Sequence, residues 1–177
     1  MRRDLFELIE YATQKGLRCS LTPTATALPT AERLAQASKA GIKRIALSLD
    51  APRPEIHDAF RQVPGSWERT MQILKNAGTA GLSAQVNTTI SSYNLQLLPE
   101  MVPFIQEVGA VQWSVFFLVP TGRAQLKWMI TPEQHEQVFH VRRPSQMVGL
   151  ARRQRARQRG IRPAEVLSNL GRRSVER

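Results

Sequence analysis

Hydroxyls, an amide and a carboxylate recur in this chain where apolar runs stop. The run Ile45-Ala-Leu-Ser48-Leu-Asp50 ends in Ser48 and Asp50, and an earlier run ends in Ser20, Thr22 and Thr24. A third ends in Asn87, Thr88 and Thr89, and a fourth in Pro120-Thr-Gly-Arg123. Most of these groups are neutral donors and acceptors, which suits holding a polar cofactor better than moving protons. The same residue types are also ordinary caps and turn formers, so taken alone they leave both readings open. His57, His135 and His140 are candidate bases, but each is expected on the solvated surface. No Gly-x-Gly-x-x-Gly, Walker A or His-Glu-x-x-His motif occurs, which removes support for dinucleotide, P-loop and zincin chemistry.

The elements that must carry these groups follow a repeating pattern. Leu5, Leu8, Ile9 and Ala12 recur at helical spacing, and Lys15-Gly16 reads as a helix end before a short strand over 17–21. Thr30 caps a helix with Leu34, Ala37 and Ala40, followed by a strand over 43–49. Ser66 is expected to cap a helix with Trp67, Thr70, Ile73 and Leu74, followed by a strand over 82–90. Asn94 starts a fourth helix, after which 111–119 is a strongly apolar strand. Thr131-Pro-Glu-Gln134 opens a fifth: Thr caps, Pro suits the first helical position, and Gln134 completes a capping box. Helices alternating with apolar strands mean parallel strands joined by right-handed crossovers, hence an α/β sheet or barrel. In either architecture ligands bind at the carboxyl ends of the strands, where the polar sets lie.

The chain has 177 residues and a net charge of +11, and its basicity is concentrated at one end. Residues 1–140 carry 14 Lys+Arg against 12 Asp+Glu, whereas 141–177 carry 11 Arg, no Lys and 2 Glu. A basic segment of that kind fits either a shifted reading frame in GC-rich DNA, the explanation preferred here, or an arm that attracts nucleic-acid phosphates. It has no aromatic residue to stack on a base, which weighs against the second. The single cysteine, Cys19, excludes an intrachain disulfide framework and points to the cytoplasm. No segment approaches the roughly 20 apolar residues of a membrane span.

Five segments together resemble the radical S-adenosylmethionine (SAM) superfamily, in the branch that often carries SPASM or Twitch extensions. They are Ser20-Leu-Thr-Pro-Thr-Ala-Thr26, Ile45-Ala-Leu-Ser-Leu-Asp-Ala-Pro52, His57-Asp-Ala-Phe-Arg61 with Gly65-Ser-Trp-Glu-Arg69, Val86-Asn-Thr-Thr-Ile90 with Asn94, and Phe116-Phe-Leu-Val-Pro-Thr-Gly-Arg123. The sequence is most similar to Fe-S oxidoreductases near the haem-biosynthesis and tungsten-cofactor maturation proteins. The resemblance implies a parallel-stranded, partial (β/α)6 TIM-like barrel in residues 1–140, of which about four strands and five helices are present, with 141–177 as a separate tail. It implies SAM as cofactor, with Ser48 bonding its ribose or methionine part. Thr22 or Thr24 would face the same ligand, and Asn87 and Thr89 would lie near the adenosine or the substrate. Asp50 would fix the loop holding Ser48, Arg61 would pair with Asp50 or the SAM carboxylate, and Arg123 would stand at the barrel mouth toward substrate.

One departure from the family pattern is plain. The family's 4Fe-4S cluster is held by a Cys-x3-Cys-x2-Cys loop, and one cysteine cannot supply those thiolates. Cys19 is expected as a small buried hydrophobe. The expectation is therefore a fragment of a radical SAM core, inactive alone, whose intact family acts on a small molecule or peptide and takes electrons from a donor. Nucleic-acid binding through the tail, and a different α/β-barrel lyase, are the rival readings. The lyase lacks a lysine at a strand end, since Lys43 begins its strand.

Overall fold

A computed structural model describes residues 3–26, 29–122 and 124–141. In chain order it contains α1 (Leu5–Gln14), β1 (Ser20–Leu21), α2 (Ala31–Lys39), β2 (Arg44–Ser48), α3 (Pro54–Arg61), α4 (Ser66–Thr79), β3 (Ser83–Ile90), α5 (Leu98–Glu107), β4 (Gln112–Phe117) and α6 (Pro132–Val141). The strands form one parallel sheet in the order β1-β2-β3-β4. The α/β reading and its parallel pairing are therefore observed. Helix α3 has no counterpart among the elements expected from the sequence, where the stretch after Asp50 shows polar groups and two prolines. Pro54 sits in its first turn, where a missing N–H costs nothing, and Arg61 ends it.

The sheet has two unlike faces. Burial along β3 alternates residue by residue, with Ala84, Val86, Thr88 and Ile90 buried and Ser83, Gln85, Asn87 and Thr89 only partly so. The buried set joins Ile45, Leu47 and Trp113 and packs on Leu34, Ala37, Ile73, Leu74, Met101 and Ile105 from the helices. Each large apolar side chain removed from water in this way contributes about 1.5–3 kcal/mol. Parallel strands covered on both sides read as unbroken apolar runs. The alternation in Ser83-Ala-Gln-Val-Asn-Thr-Thr-Ile is that of a sheet with helices on one face and a polar opposite face.

Local chemistry explains the helix ends. Thr30 accepts the Arg33 N–H at 3.3 Å. Thr131 and Gln134 form the reciprocal box, Gln134 N donating to Thr131 Oγ1 at 3.3 Å and Thr131 N to Gln134 Oε1 at 2.8 Å. Helix α1 turns differently from its expected stripe: Ile9 is buried, but Leu8 is 44% exposed. The chain leaves α2 through Gly41, at φ 114°, whose hydrogen faces the Thr13 side chain of α1 at a distance no Cβ would fit.

Candidate functional site

Register places the polar residues in rows across the open face. Ser48 of β2 pairs with Asn87 of β3, and Asn87 with Ser114 of β4. One row further along, Thr89 pairs with Phe116, which is 52% exposed. Gln85 links the β3 and β4 groups, its Nε2 donating to Asn87 Oδ1 at 2.9 Å and Ser114 Oγ at 3.3 Å. The hydroxyls of Ser48 and Thr89 make no hydrogen bond among the described residues. At the carboxyl ends of β2 and β3 the fold thus presents two available hydroxyls flanking an amide, a set matched to a nucleoside's hydroxyls and ring edges.

Asp50 lies behind this wall, 1% exposed. Its Oδ2 accepts Arg61 Nε at 2.5 Å and its Oδ1 accepts the Thr89 N–H at 2.9 Å. Its carbonyl oxygen accepts Asn94 Nδ2 at 2.7 Å, and the same Nδ2 reaches the Thr89 carbonyl at 2.8 Å. Asn94 Oδ1 accepts the Ser91 N–H at 2.9 Å. The remaining polar group of Asp50, its N–H, donates to His57 Nδ1 at 3.1 Å. Every polar atom of this residue is therefore used to tie the end of β2 to α3, β3 and the turn at 91–94. Arg61, with a third of its side chain exposed, balances the buried carboxylate, which would be costly to bury unpaired.

His57 corrects the sequence expectation of a solvated histidine, since it is 1% exposed. Burial lowers its pKa below the usual value; the Asp50 carboxylate opposes this, the Arg61 charge adds to it and Asp58 opposes it. A neutral ring is also what the geometry requires, because Nδ1 can accept the Asp50 N–H only without its own proton. The signal that could have found His57 is its place in His57-Asp-Ala-Phe-Arg61: on a helix, His57 and Arg61 are one turn apart and share a face. Thr88 was also missed as a structural group. Its hydroxyl donates to the Leu49 carbonyl at 2.7 Å and accepts Trp113 Nε1 at 2.9 Å.

Thr22 and Thr24 stand apart from this arrangement. They line a cavity of about 310 Å³ with Leu5 and Phe6 of α1 and Leu34 of α2, and none of Ser48, Asp50, Asn87 or Thr89 borders it. Arg123 and the tail from 142 onward lie outside the described residues. The structure thus brings Ser48, Asn87 and Thr89 onto one face and Asp50 and Arg61 into one ion pair behind it.

Two cofactors are at issue. The open hydroxyl and amide row fits the sugar and base of SAM. The residues present do not fit a 4Fe-4S cluster: the sequence holds one cysteine, and among the described residues no group of three or more His, Cys, Asp or Glu could hold a metal. Among those residues no helix is long and apolar enough to cross a membrane.

Residues 1–102 match the family model described as the radical SAM superfamily. Over 142 residues the chain is 44% identical to the AdoMet-dependent heme synthase of Oleidesulfovibrio alaskensis, covering 79% of this chain and 36% of that protein. It is 40% identical over 142 residues to the AdoMet-dependent heme synthase of Nitratidesulfovibrio vulgaris, covering 79% and 38%. The chain thus spans little more than a third of the length of these curated relatives. Its fold is similar to that of Streptococcus suis SuiB bound to S-adenosylmethionine, with a TM-score of 0.60 at 15% identity over 78% of this chain and 31% of that one. The one-sided parallel sheet, its polar strand ends and the match over 1–102 agree: the chain belongs to the radical SAM superfamily, whose cofactors are SAM and a 4Fe-4S cluster.

Proposed function

We propose that this chain supplies the SAM-holding wall of a cytoplasmic radical SAM enzyme that matures a cofactor or peptide. The observation that carries this is the alignment of Ser48, Asn87 and Thr89 on the uncovered face, at the strand ends where α/β folds bind ligands. Ser48 and Thr89 hydroxyls bond the ribose or methionine oxygens, and Asn87 reads a ring edge. Asp50 holds the strand end, and Arg61, bonded to it through Nε, keeps its other nitrogens for the SAM carboxylate. SAM, when bound and reductively cleaved, supplies hydrogen-atom abstraction at its 5′-carbon. Held by Ser48, Asn87 and Thr89, the ribose would be kept from turning against the open face. The names of the heme synthase relatives favour a tetrapyrrole-like small molecule as substrate. An electron donor is the partner that reductive cleavage of SAM calls for.

Titration of the isolated chain with SAM tests the reading. Saturable binding that weakens in Ser48→Ala supports it, and absence of binding by the folded chain overturns it. Iron-sulfur reconstitution under anaerobic conditions, followed by a 5′-deoxyadenosine assay, is expected to show no turnover, because the thiolates for the cluster are not among this chain's residues. Turnover would overturn that part.

A further inference from the structure

The relationship between His57 and the ligand wall goes beyond a buried ring filling space. The Asp50 N–H points into α3 and meets His57 Nδ1 at 3.1 Å in a buried setting. From the same residue, Oδ1 holds the Thr89 N–H and the carbonyl holds Asn94 Nδ2. Ser48 is two residues before Asp50, and Thr89 carries the next hydroxyl of the wall. The orientation of both hydroxyls thus depends on where the Asp50 backbone is held, and among the described residues the side chain that holds its N–H is the imidazole.

We propose that His57 is a positioning residue for the SAM wall: its neutral imidazole, accepting the Asp50 N–H at Nδ1, sets the end of β2 so that Ser48 and Thr89 face the ligand together. This rests on the SAM-wall reading of the open face. The arrangement demands one tautomer, with the proton on Nε2. A proton on Nδ1 would turn the acceptor into a second donor facing the Asp50 N–H. The charged groups facing the ring are Asp50 from the end of β2 and Asp58 and Arg61 from α3 itself. The carboxylate of Asp50, 3.8 Å from Nδ1, does not replace the missing acceptor, since it is already committed to Arg61 and the Thr89 N–H. The role is one of placement, because the imidazole touches neither the open face nor a reacting atom.

The test compares His57→Leu, which removes the acceptor, with His57→Asn, whose amide oxygen can stand where Nδ1 stands. Amide hydrogen exchange is read at Asp50 and Thr89 against Ile45 and Val86 deeper in the same strands. In His57→Leu the Asp50 and Thr89 amides are expected to exchange about tenfold faster with the reference amides little changed, as for one lost buried hydrogen bond, and His57→Asn is expected to restore protection. SAM affinity should fall about tenfold in His57→Leu and recover in His57→Asn. Unchanged exchange at both amides, or loss of protection without a change in SAM affinity, overturns the proposal. So does a His57→Asn protein that behaves as His57→Leu. If the wild type binds no SAM, the SAM-wall reading fails, while the exchange data still decide whether His57 holds the strand end. Should His57→Leu not fold, nitrogen-15 shifts of the wild-type ring decide: an Nδ1-protonated tautomer or an imidazolium at neutral pH overturns it.

Discussion

Asp58, on α3, caps α4 across an intervening turn, and Ser66 is its partner. Asp58 Oδ1 accepts the Ser66 hydroxyl at 2.8 Å and the Trp67 N–H at 2.9 Å, while Oδ2 accepts the Gly65 N–H at 2.6 Å. Ser66 is thus the first residue of α4 and a donor to its cap, where sequence reasoning made it the cap itself. Burial opposes the charge on Asp58, but the bonds from Ser66, Trp67 and Gly65 outweigh it and hold the carboxyl below its usual range.

Removing this cap is expected to be costly. Asp58→Ala should destabilise the fold by about 1–2 kcal/mol, measured by urea unfolding, because the first amides of α4 lose their acceptor. Ser66→Ala, which keeps the two backbone bonds, should cost less. An Asp58→Ala protein as stable as wild type would show that the cap is not used in solution.

Acid should act in two separate windows. The folded-state pKa of His57 is lowered, so below its ordinary value near 6.5 the unfolded chain takes a proton that the folded chain refuses. Stability is therefore full above that value and falls as pH drops beneath it, until the lowered pKa is reached. Asp58 also has a lowered pKa, and its contribution is present above its ordinary value of 3.8 and lost below it. Chemical denaturation across pH should show the upper window vanish in His57→Asn and the lower one persist.

Asn94 is expected to be among the most sensitive polar positions. It is 1% exposed and its side chain serves the carbonyls of Asp50 and Thr89 and the Ser91 N–H. Asn94→Ala leaves three backbone groups without that partner, which should cost roughly 2–4 kcal/mol in a thermal or urea melt. A loss under half a kcal/mol would mean that water replaces the amide.

Ser48 and Asn87 should behave in the opposite way. Ser48→Ala and Asn87→Ala are expected to leave stability within about 0.5 kcal/mol, since neither side chain is fully buried. Each should weaken SAM binding about five- to tenfold, as for one lost ligand hydrogen bond. Large stability losses with unchanged binding would assign these residues to the fold instead.

Gly41→Ala offers a control far from the site. Its positive φ and its contact with Thr13 predict a loss of about 1–3 kcal/mol without a change in SAM affinity per folded molecule, checked by melting and by titration.

Much of this was legible in the residue pattern. Ser48, Asn87 and Thr89 stood out because strand ends are where a neutral donor or acceptor has a use, and Thr30 and Thr131 announced their helices through local bonds. What stayed hidden depended on tertiary contacts. Helix α3 is short and begins in Pro-Arg-Pro, so its propensity is weak, and it forms by laying His57 and Arg61 on the end of β2. The burial of His57 follows from that docking, which no local pattern encodes. Thr22 and Thr24 matched the strand-end rule by type but follow a strand of two residues, too short to impose an alternation on the chain after it.

The alternation along β3 divides labour between neighbouring letters of the sequence. Val86 and Thr88 answer to the helices, and Asn87 and Thr89 answer to whatever lies over the open face. Mutation can therefore rewrite every second residue without a toll on the scaffold, so that a lineage built on this sheet can change what it recognises faster than it changes shape. Asp50 stands outside that freedom: two residues past the end of β2, with every polar atom engaged, it is where drift in recognition and drift in architecture would have to occur together.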